Sequence, residues 1–274
     1  MNKAYEASNP GGPHAAVTAQ TGAPVLAAKG VHITLGGRKI LQDIDLTIGE
    51  GEFVCVVGAS GCGKTTLLRL LAGLYQPSEG SIRYRDKEML KPRQDVAIIF
   101  QDYGKALLPW RTARGNVALA LEAIGAPRAT RDARIEELLA KVGLPGEADK
   151  YPNQMSGGMQ QRLQIARSLA QNPSVLLMDE PFGALDAMTR QGLQDEVLSI
   201  ARSTGATSFF VTHDLEEAIY LGDRVVGLLA NPGRVAITLD VKLPRPRDQL
   251  TTREDPEFLR LRRELFDFIK KAEA

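Results

Sequence analysis

Gly58-Ala59-Ser60-Gly61-Cys62-Gly63-Lys64-Thr65 matches the pattern G-x-x-x-x-G-K-[ST] of a phosphate-binding loop. An apolar run at 53–57 precedes the loop, and a helical pattern of leucines begins at Lys64. Glycines let such a loop curl so that backbone N–H groups point at phosphate oxygens, and the helix N-terminus adds partial positive charge. We expect Lys64 to reach the β- and γ-phosphates of a nucleotide and the Thr65 hydroxyl to bind Mg²⁺. The predicted nucleotide contacts in this segment are Gly58, Ala59, Ser60, Gly61, Cys62, Gly63, Lys64, Thr65 and Thr66.

Strand and helix patterns alternate on both sides of this loop. Apolar runs predict strands at 25–35, 40–48, 53–57, 81–85, 96–100, 175–178, 208–212 and 224–229, and another β-like run begins at 234. Helical patterns lie at 116–124, 130–142, 156–171, 189–204, 215–220 and 256–271. The alternation predicts an α/β domain with a mainly parallel sheet, interrupted by a helical insertion at about 102–157. Residues 1–24 lack a sustained period and predict a disordered tail.

Composition and charge narrow the class of protein. The 274 residues carry 34 Lys and Arg against 33 Asp and Glu, a net charge of +1, so we expect no nucleic-acid partner. No run approaches the roughly 18 apolar residues of a membrane span, and no signal-peptide core follows Lys3. Cys55 and Cys62 are too few for a disulfide framework and lack companions at metal-ligand spacing. We expect a cytoplasmic chain with reduced thiols.

Two adjacent carboxylates, Asp179 and Glu180, follow the apolar run at 175–178. Because side chains alternate along a strand, neighbouring acids at its end can serve different tasks. Beside a bound nucleotide, Asp179 would hold Mg²⁺, and Glu180 would orient or deprotonate the water that attacks the γ-phosphate. Taken alone, such a pair is more often the solvated start of a loop. The phosphate-binding loop favours the catalytic interpretation.

Four further segments carry a family resemblance. Met155-Ser156-Gly157-Gly158-Met159-Gln160-Gln161-Arg162 resembles the signature motif of ABC-type ATPases. Gln101 resembles the family's Q-loop glutamine, Ala184-Leu185-Asp186 its D-loop, and His213 its switch histidine. A solvated glutamine and a packed or exposed histidine are the alternatives for the two single residues. The resemblance covers about 25–235.

The resemblance implies a fold: a P-loop NTPase (RecA-like) core with an antiparallel β N-terminal subdomain and an inserted α-helical subdomain. It divides the chain into a tail at 1–24, an ABC ATPase domain at 25–235, and a C-terminal strand, linker and helix at 236–274. It also implies an ATPase that uses ATP and Mg²⁺. The implied catalytic residues are Glu180, His213 and Gln101, and the implied metal-binding residues are Thr65, Gln101 and Asp179.

A second copy of the chain is implied as a partner. Ser156 is a good helix N-cap, and Gly157 and Gly158 leave backbone N–H groups open at a helix N-terminus, which is an anion site. The resemblance implies that these residues face the γ-phosphate bound by the other copy, so that two ATP molecules lie between two subunits. Asp186 of the D-loop belongs to the same implied nucleotide contacts.

Two positions depart from the family pattern. Met159 stands where the signature usually has glutamine, which puts polar contacts near the partner's ribose in doubt. Leu35 stands where an aromatic residue usually stacks on adenine, and a leucine covers the ring without stacking geometry. Leu35 is therefore a predicted nucleotide contact, and we expect the protein to bind its nucleotide with weakened affinity or weakened base selectivity.

The lack of a membrane span argues against an exporter half with a fused transmembrane domain, and the resemblance then implies a separate ATPase subunit of a bacterial importer. Segments 107–112, 181–186 and 231–235 resemble the nitrate/sulfonate/taurine group, whose solutes are small anions. Trp110 lies where family members receive a permease subunit; a core aromatic is the equally weighted alternative. We expect a peripheral protein on the inner face of the membrane, connected indirectly to a periplasmic substrate-binding protein. The alternative is a soluble ABC-type ATPase with a regulatory or mechanical role.

Overall fold

The computed structural model describes residues 24–183 and 185–273. Within these residues the strands are β1 Pro24–Leu35, β2 Arg38–Gly49, β3 Phe53–Gly58, β4 Glu79–Tyr84, β5 Lys87–Glu88, β6 Val96–Ile99, β7 Val175–Asp179, β8 Thr207–Val211, β9 Arg224–Leu229 and β10 Arg234–Asp240. The α-helices are α1 Lys64–Leu71, α2 Tyr103–Ala106, α3 Ala113–Ala123, α4 Arg128–Lys141, α5 Gly157–Leu169, α6 Ala187–Thr204, α7 Leu215–Leu221, α8 Thr251–Glu254 and α9 Pro256–Glu273.

The predicted tail, 1–24, lies outside the described residues except for Pro24, where β1 begins. Every strand and helix predicted within the described residues is present, with bounds shifted by a few residues. Four short elements are absent from the predictions: β5, α2, α8 and a 3₁₀ helix at Pro152–Gln154. Elements of two to four residues are too short to show a hydrophobic period, so the sequence carries no signal for them.

Two sheets form the framework. The larger sheet has the order β10-β9-β3-β8-β7-β6, and its strands are parallel except for β10, which runs antiparallel to β9. The smaller sheet, β2-β1-β4-β5, is antiparallel. Because the parallel strands run in one direction, the ends of β3, β6, β7 and β8 meet at one edge of the sheet.

The central strand β3 shows why the large sheet is covered on both faces. All of its residues are buried. Phe53, Cys55 and Val57 belong to a core shared with the helical insertion, whereas Val54 and Val56 pack with α1 and the antiparallel sheet. This division follows from the alternation of side chains along a strand.

The helical insertion lies between β6 and β7. Helices α3 and α4 pack on α5, and α5 in turn packs against β6. Thr112 caps α3 by accepting a hydrogen bond from the Gly115 N–H at 3.2 Å. The insertion is therefore joined to the large sheet through α5, the helix that carries the signature segment.

The C-terminal part of the chain packs on the same core. Strand β10 pairs with β9 over Arg234–Asp240, so it crosses the boundary predicted at 235. Phe258, Leu261 and Leu265 of α9 are fully buried in the core that also contains the helical insertion. Among the described residues, no helix combines the length and apolar character needed to cross a membrane.

Candidate nucleotide-binding site

The phosphate-binding loop leaves β3 through a turn that requires glycine. Gly58 and Gly63 have φ values of +155° and +102°. A Cβ atom at Gly58 would lie 2.6 Å from the Leu228 carbonyl oxygen, and one at Gly63 would lie 2.5 Å from Leu41 Cδ2. Both the backbone conformation and the lack of space therefore exclude larger residues. The loop delivers the chain to the N-terminus of α1.

Lys64 occupies the interior of this loop. Its side chain is buried, and Nζ donates hydrogen bonds to the carbonyl oxygens of Gly58 at 2.7 Å and Ala59 at 3.1 Å. These neutral acceptors hold the ammonium group in place without cancelling its charge. The geometry thus holds a positive charge against the backbone of the loop, which suits phosphate.

A cavity of about 490 Å³ opens beside the loop. It brings together residues that are far apart in the sequence and come from the loop, from β2 and from three strand ends. Its lining residues are Ile40, Ser60, Gly61, Gly63, Lys64, Thr65, Thr66, Gln101, Glu180 and His213. Every residue that lines the cavity, except Ile40, is one of the site residues predicted from the sequence.

Thr65 and Asp179 place a hydroxyl beside a carboxylate; Thr65 lines this cavity, whereas the predicted residue Asp179 is outside the lining. The Thr65 hydroxyl donates to Asp179 Oδ1 at 3.0 Å. Burial raises the pKa of Asp179, and the Thr65 hydrogen bond opposes that rise. Hydroxyl and carboxylate oxygens fit Mg²⁺, which binds proteins through one or two such groups together with water and substrate phosphates. No group of three His, Cys, Asp or Glu side chains able to hold a metal is found in the described part of the chain.

Glu180 lies at the centre of the three strand ends. Gln101 Nε2 donates to Glu180 Oε2 at 3.3 Å, and His213 Nδ1 lies 3.1 Å from the same oxygen. Glu180 has a φ of +43°, and its N–H donates to the Val211 carbonyl at 2.9 Å. A left-handed conformation at a residue other than glycine is costly and is common at functional sites. The backbone after β7 is thus bent so that Glu180 faces the cavity.

The signature segment lies elsewhere on the monomer. Ser156 caps α5 by accepting a hydrogen bond from the Met159 N–H at 3.3 Å, and Asp186 caps α6 by accepting one from the Thr189 N–H at 3.0 Å. The Thr189 hydrogen bonds lower the pKa of Asp186. A Cβ at Gly158 would lie 2.7 Å from Thr189 Cγ2, so the two helix starts pack closely.

Several predicted residues do not line the cavity with the rest. Gly58 and Ala59 contribute their carbonyl groups to Lys64. Cys62 is 1% exposed and packs into the core, where burial raises the pKa of its thiol. The side chain of Cys62 therefore belongs to the core and not to the lining of the cavity. The residues at the two helix starts, also outside the lining, are Ser156, Gly157, Gly158 and Asp186.

The predicted adenine contact also lies outside this lining. Leu35 is at the end of β1 and is 39% exposed, whereas Ile40 of β2 lines the cavity. Ile40 is not among the predicted residues. The isolated β-bridge between Leu41 and Gly233, which holds this part of β2 beside the loop after β9, has no signal in the sequence.

Trp110 is on the surface of the helical insertion. It is 71% exposed. The alternative of a core aromatic is therefore wrong, because a core residue would be shielded from solvent. The exposed indole lies just before α3, in the segment that follows the Gln101 loop.

A protein-family model described as "ABC transporter" matches residues 41–183. The chain belongs to the ABC transporter family. This ABC protein is 48% identical over 240 residues to the nitrate import ATP-binding protein NrtC of Synechococcus elongatus, covering 86% of this chain and 36% of NrtC. The chain thus spans about a third of that relative's length. It is 44% identical to the bicarbonate transport ATP-binding protein CmpD of the same species, covering 85% of this chain and 84% of CmpD.

Two solved structures share the ABC fold. The protein cbiO1 from Clostridium perfringens, part of the ABC transporter complex cbiONQ, has a TM-score of 0.74 at 26% identity, covering 80% of this chain and 89% of that one. The cassette MJ0796, in a dimeric post-hydrolysis state bound to ADP and Pi, has a TM-score of 0.69 at 33% identity, covering 79% and 99%. The predicted P-loop NTPase fold is confirmed, as are ATP binding and the predicted enzyme class, an ATPase.

Proposed function

We propose that this ABC protein is the ATP-hydrolysing subunit of a bacterial importer for a small anionic solute of the nitrate, sulfonate or taurine kind. The observation that carries the proposal is the convergence of Lys64, Thr65, Gln101, Glu180 and His213 on one cavity. Two of its relatives bear names for nitrate import and bicarbonate transport, which supports a small anion as the solute.

The phosphates of ATP bind in the loop at the N-terminus of α1. Backbone N–H groups of 58–66 and the ammonium group of Lys64 face the β- and γ-phosphates. Thr65, Asp179 and Gln101 are the residues that would hold Mg²⁺ beside the phosphates. When bound, Mg²⁺ neutralises charge that develops on the phosphate oxygens.

Glu180 and His213 carry the hydrolytic step. Glu180 accepts the proton of the attacking water, or orients that water, while His213 positions the γ-phosphate and the water. The distance of 3.1 Å between their side chains supports a shared role, because both can contact one water molecule. Gln101, 3.3 Å from the same carboxylate oxygen, completes the group.

A second copy of the chain completes each ATP site. Ser156, Gly157, Gly158 and Asp186 lie at helix starts outside the monomer's own cavity, which supports their contact with the ATP bound by the other copy. The dimeric cassette MJ0796, which is similar to this chain, supports the same arrangement. Two ATP molecules close the dimer and move the helical insertions, with the Gln101 loop as the hinge.

Permease subunits in the membrane receive that motion. The exposed indole of Trp110, at the start of the insertion, is the proposed contact, and the chain works on the inner face of the membrane. The closed dimer then opens the permease toward a periplasmic substrate-binding protein. Hydrolysis reopens the dimer.

Glu180→Gln tests this cycle. The variant should bind ATP and form a stable ATP-bound dimer, measured by light scattering, without turnover. A variant that still hydrolyses ATP would refute the role of Glu180. Calorimetry of the partner binding protein with nitrate, bicarbonate and taurine would identify the solute. If the chain does not co-purify with any permease subunit from membranes, a non-transport role is favoured.

A further inference from the structure

A line of buried polar side chains joins the C-terminal part of the chain to the loop that carries His213. Thr212, immediately before His213, is 1% exposed, and Glu217 and Gln194 are 4% and 2% exposed. Three neighbouring polar side chains so far from solvent are costly unless each finds partners.

The hydrogen bonds near His213 hold its loop from two sides. The Thr212 hydroxyl donates to Glu217 Oε2 and accepts from the Asp214 N–H at 3.0 Å. Asp214 in turn caps α7 by accepting from the N–H groups of Glu216 at 2.9 Å and Glu217 at 3.1 Å. His213 is the single residue between Thr212 and Asp214, so these bonds determine the backbone from which its imidazole extends.

The remaining bonds connect this loop to α6 and to the segment after β10. Gln194 Nε2 donates to Glu217 Oε1 at 2.9 Å. Gln194 Oε1 accepts from Gln249 Nε2 at 3.3 Å and from Arg253 Nη2 at 3.3 Å. Arg253 also donates to Glu216 Oε2 at 2.8 Å. We call Thr212, Glu217, Gln194, Gln249 and Arg253 the polar relay.

With Glu217 ionised, the chemistry of the relay permits one arrangement of donors and acceptors. The Glu217 carboxylate accepts at both oxygens, so Gln194 must present its amide nitrogen to it. The Gln194 carbonyl oxygen must then face Gln249 and Arg253, which present N–H donors. Gln194 lies in the middle, with a donor side toward Glu217 and an acceptor side toward Gln249 and Arg253. A change at either end of the relay therefore alters which hydrogen bonds Gln194 can make at the other end.

We propose that Glu217 and Gln194 are positioning residues for His213, and that Gln249 and Arg253 of the C-terminal part set its position through them. This inference rests on the proposed role of His213 in ATP hydrolysis. It makes the C-terminal part of the chain a site from which turnover is adjusted, at a distance from the nucleotide cavity. None of the five relay residues lines that cavity.

The decisive experiment exchanges the two central side chains. Glu217→Gln alone leaves one acceptor oxygen for the two donors Thr212 and Gln194, and Gln194→Glu alone places two carboxylates against each other. The double variant Glu217→Gln/Gln194→Glu restores every bond. Its amide at position 217 accepts from Thr212 and donates to the carboxylate at position 194, which accepts from Gln249 and Arg253. Each single variant should lower kcat about tenfold with little change in KM for ATP, and the double variant should recover most of that loss.

Nuclear magnetic resonance of the imidazoles provides a direct readout. The chain has three histidines, so the His213 resonances can be assigned by substitution. Both single variants should shift the His213 signals and leave those of His32 unchanged, and the double variant should return them. A loss of kcat without a shift at His213, or a double variant that folds and recovers nothing, would overturn the proposal.

Thr212 gives a second, conservative comparison if the exchanged variants fold poorly. Thr212→Val keeps the shape of the side chain and removes the hydroxyl, whereas Thr212→Ser keeps the hydroxyl. Only the valine variant should lower kcat and shift the His213 signals.

Arg253→Gln should lower kcat, while the matched control Arg260→Gln, which breaks exposed ion pairs on α9, should not. His213→Ala separates the two proposals. If His213→Ala retains full turnover and the relay variants still shift the His213 signals, the proposed role of His213 in hydrolysis fails and its positioning by the relay stands.

Discussion

The imidazole Nδ1 of His213 lies 3.1 Å from Oε2 of Glu180, although 33 residues separate them in the sequence. The two residues follow β8 and β7, which are neighbours in the parallel sheet, and Gln101 follows the next strand, β6. One carboxylate oxygen therefore joins the ends of three adjacent strands. This arrangement places a carboxylate beside an imidazole in the lining of the cavity.

His213→Ala should lower kcat for ATP hydrolysis by about 100-fold, because the variant loses the group that we propose to hold the γ-phosphate and water against Glu180. KM for ATP should change little, since Lys64 and the loop backbone remain. Steady-state kinetics on the purified chain measures both constants. His32→Ala, which alters a histidine of β1 away from the cavity lining, is the control. Equal kinetics for the two variants would remove His213 from the mechanism.

Asp179→Asn should weaken the binding of MgATP and leave the binding of metal-free ATP unchanged. The amide can still accept the Thr65 hydrogen bond, but it lacks the charge that attracts Mg²⁺. Calorimetry with ATP in Mg²⁺ and in EDTA separates the two effects. Thr65→Ser, which keeps the hydroxyl, is the matched control. An equal loss of affinity with and without Mg²⁺ would show that the variant damages the phosphate-binding loop instead.

The sequence predicts the parallel strands and the residues at their ends because local patterns carry that information. The apolar strand β3 ends at Gly58, which begins a loop recognisable by its spacing. The apolar strand β7 ends at Asp179, next to Glu180, and it is the loop that favours a catalytic interpretation of this pair. The position of Ile40 and the relay through Gln194 depend on contacts between distant segments. Nothing near Gln194 in the sequence shows that Gln249 and Arg253 will bond to it. Such pairings arise from tertiary packing, which a single sequence does not display.

The sequence leaves open whether the Trp110 indole lies in the core or on the surface, because an indole is found in either place. Its exposure in the structure shows that it lies on the surface. The packing of α9 is another case: its charged pattern predicts a helix but does not reveal that Phe258 and Leu261 complete the main core. An amphipathic helix shows which face is apolar but not which surface that face will cover.

Leu35→Tyr should strengthen the binding of ATP and GTP by about threefold to tenfold, because an aromatic ring adds stacking on a purine. Ile40→Ala should weaken both, since Ile40 lines the cavity. Fluorescent-nucleotide titrations of the two variants measure the affinities. If Leu35→Tyr changes neither affinity while Ile40→Ala weakens both, the base lies over Ile40 and not over Leu35.

Trp110→Ala should abolish association with the proposed permease subunits and leave the ATPase activity of the isolated chain unchanged. The indole is 71% exposed and so contributes little to the core, whereas a large aromatic side chain is a typical centre of an interface. Co-purification with membranes measures the association. Leu90→Ala removes another exposed apolar residue, 66% accessible, and is the matched control. Loss of folding in Trp110→Ala, seen by thermal unfolding, would contradict a surface role.

Cys62 should resist thiol reagents in the folded protein, although it belongs to the phosphate-binding loop. Its side chain is 1% exposed, and burial raises the pKa of the thiol, so less of the reactive thiolate is present at a given pH than for a free cysteine. Below that pKa the thiolate fraction grows about tenfold for each pH unit, so labelling should accelerate as the pH rises. The rate with Ellman's reagent at pH 8 should be more than about tenfold slower in the native protein than in urea. Cys55→Ala isolates the signal of Cys62, because these are the two cysteines of the chain. Rapid labelling of native Cys55→Ala would mean that the loop opens to expose the sulfur, and its rate with and without ATP would then report on that opening.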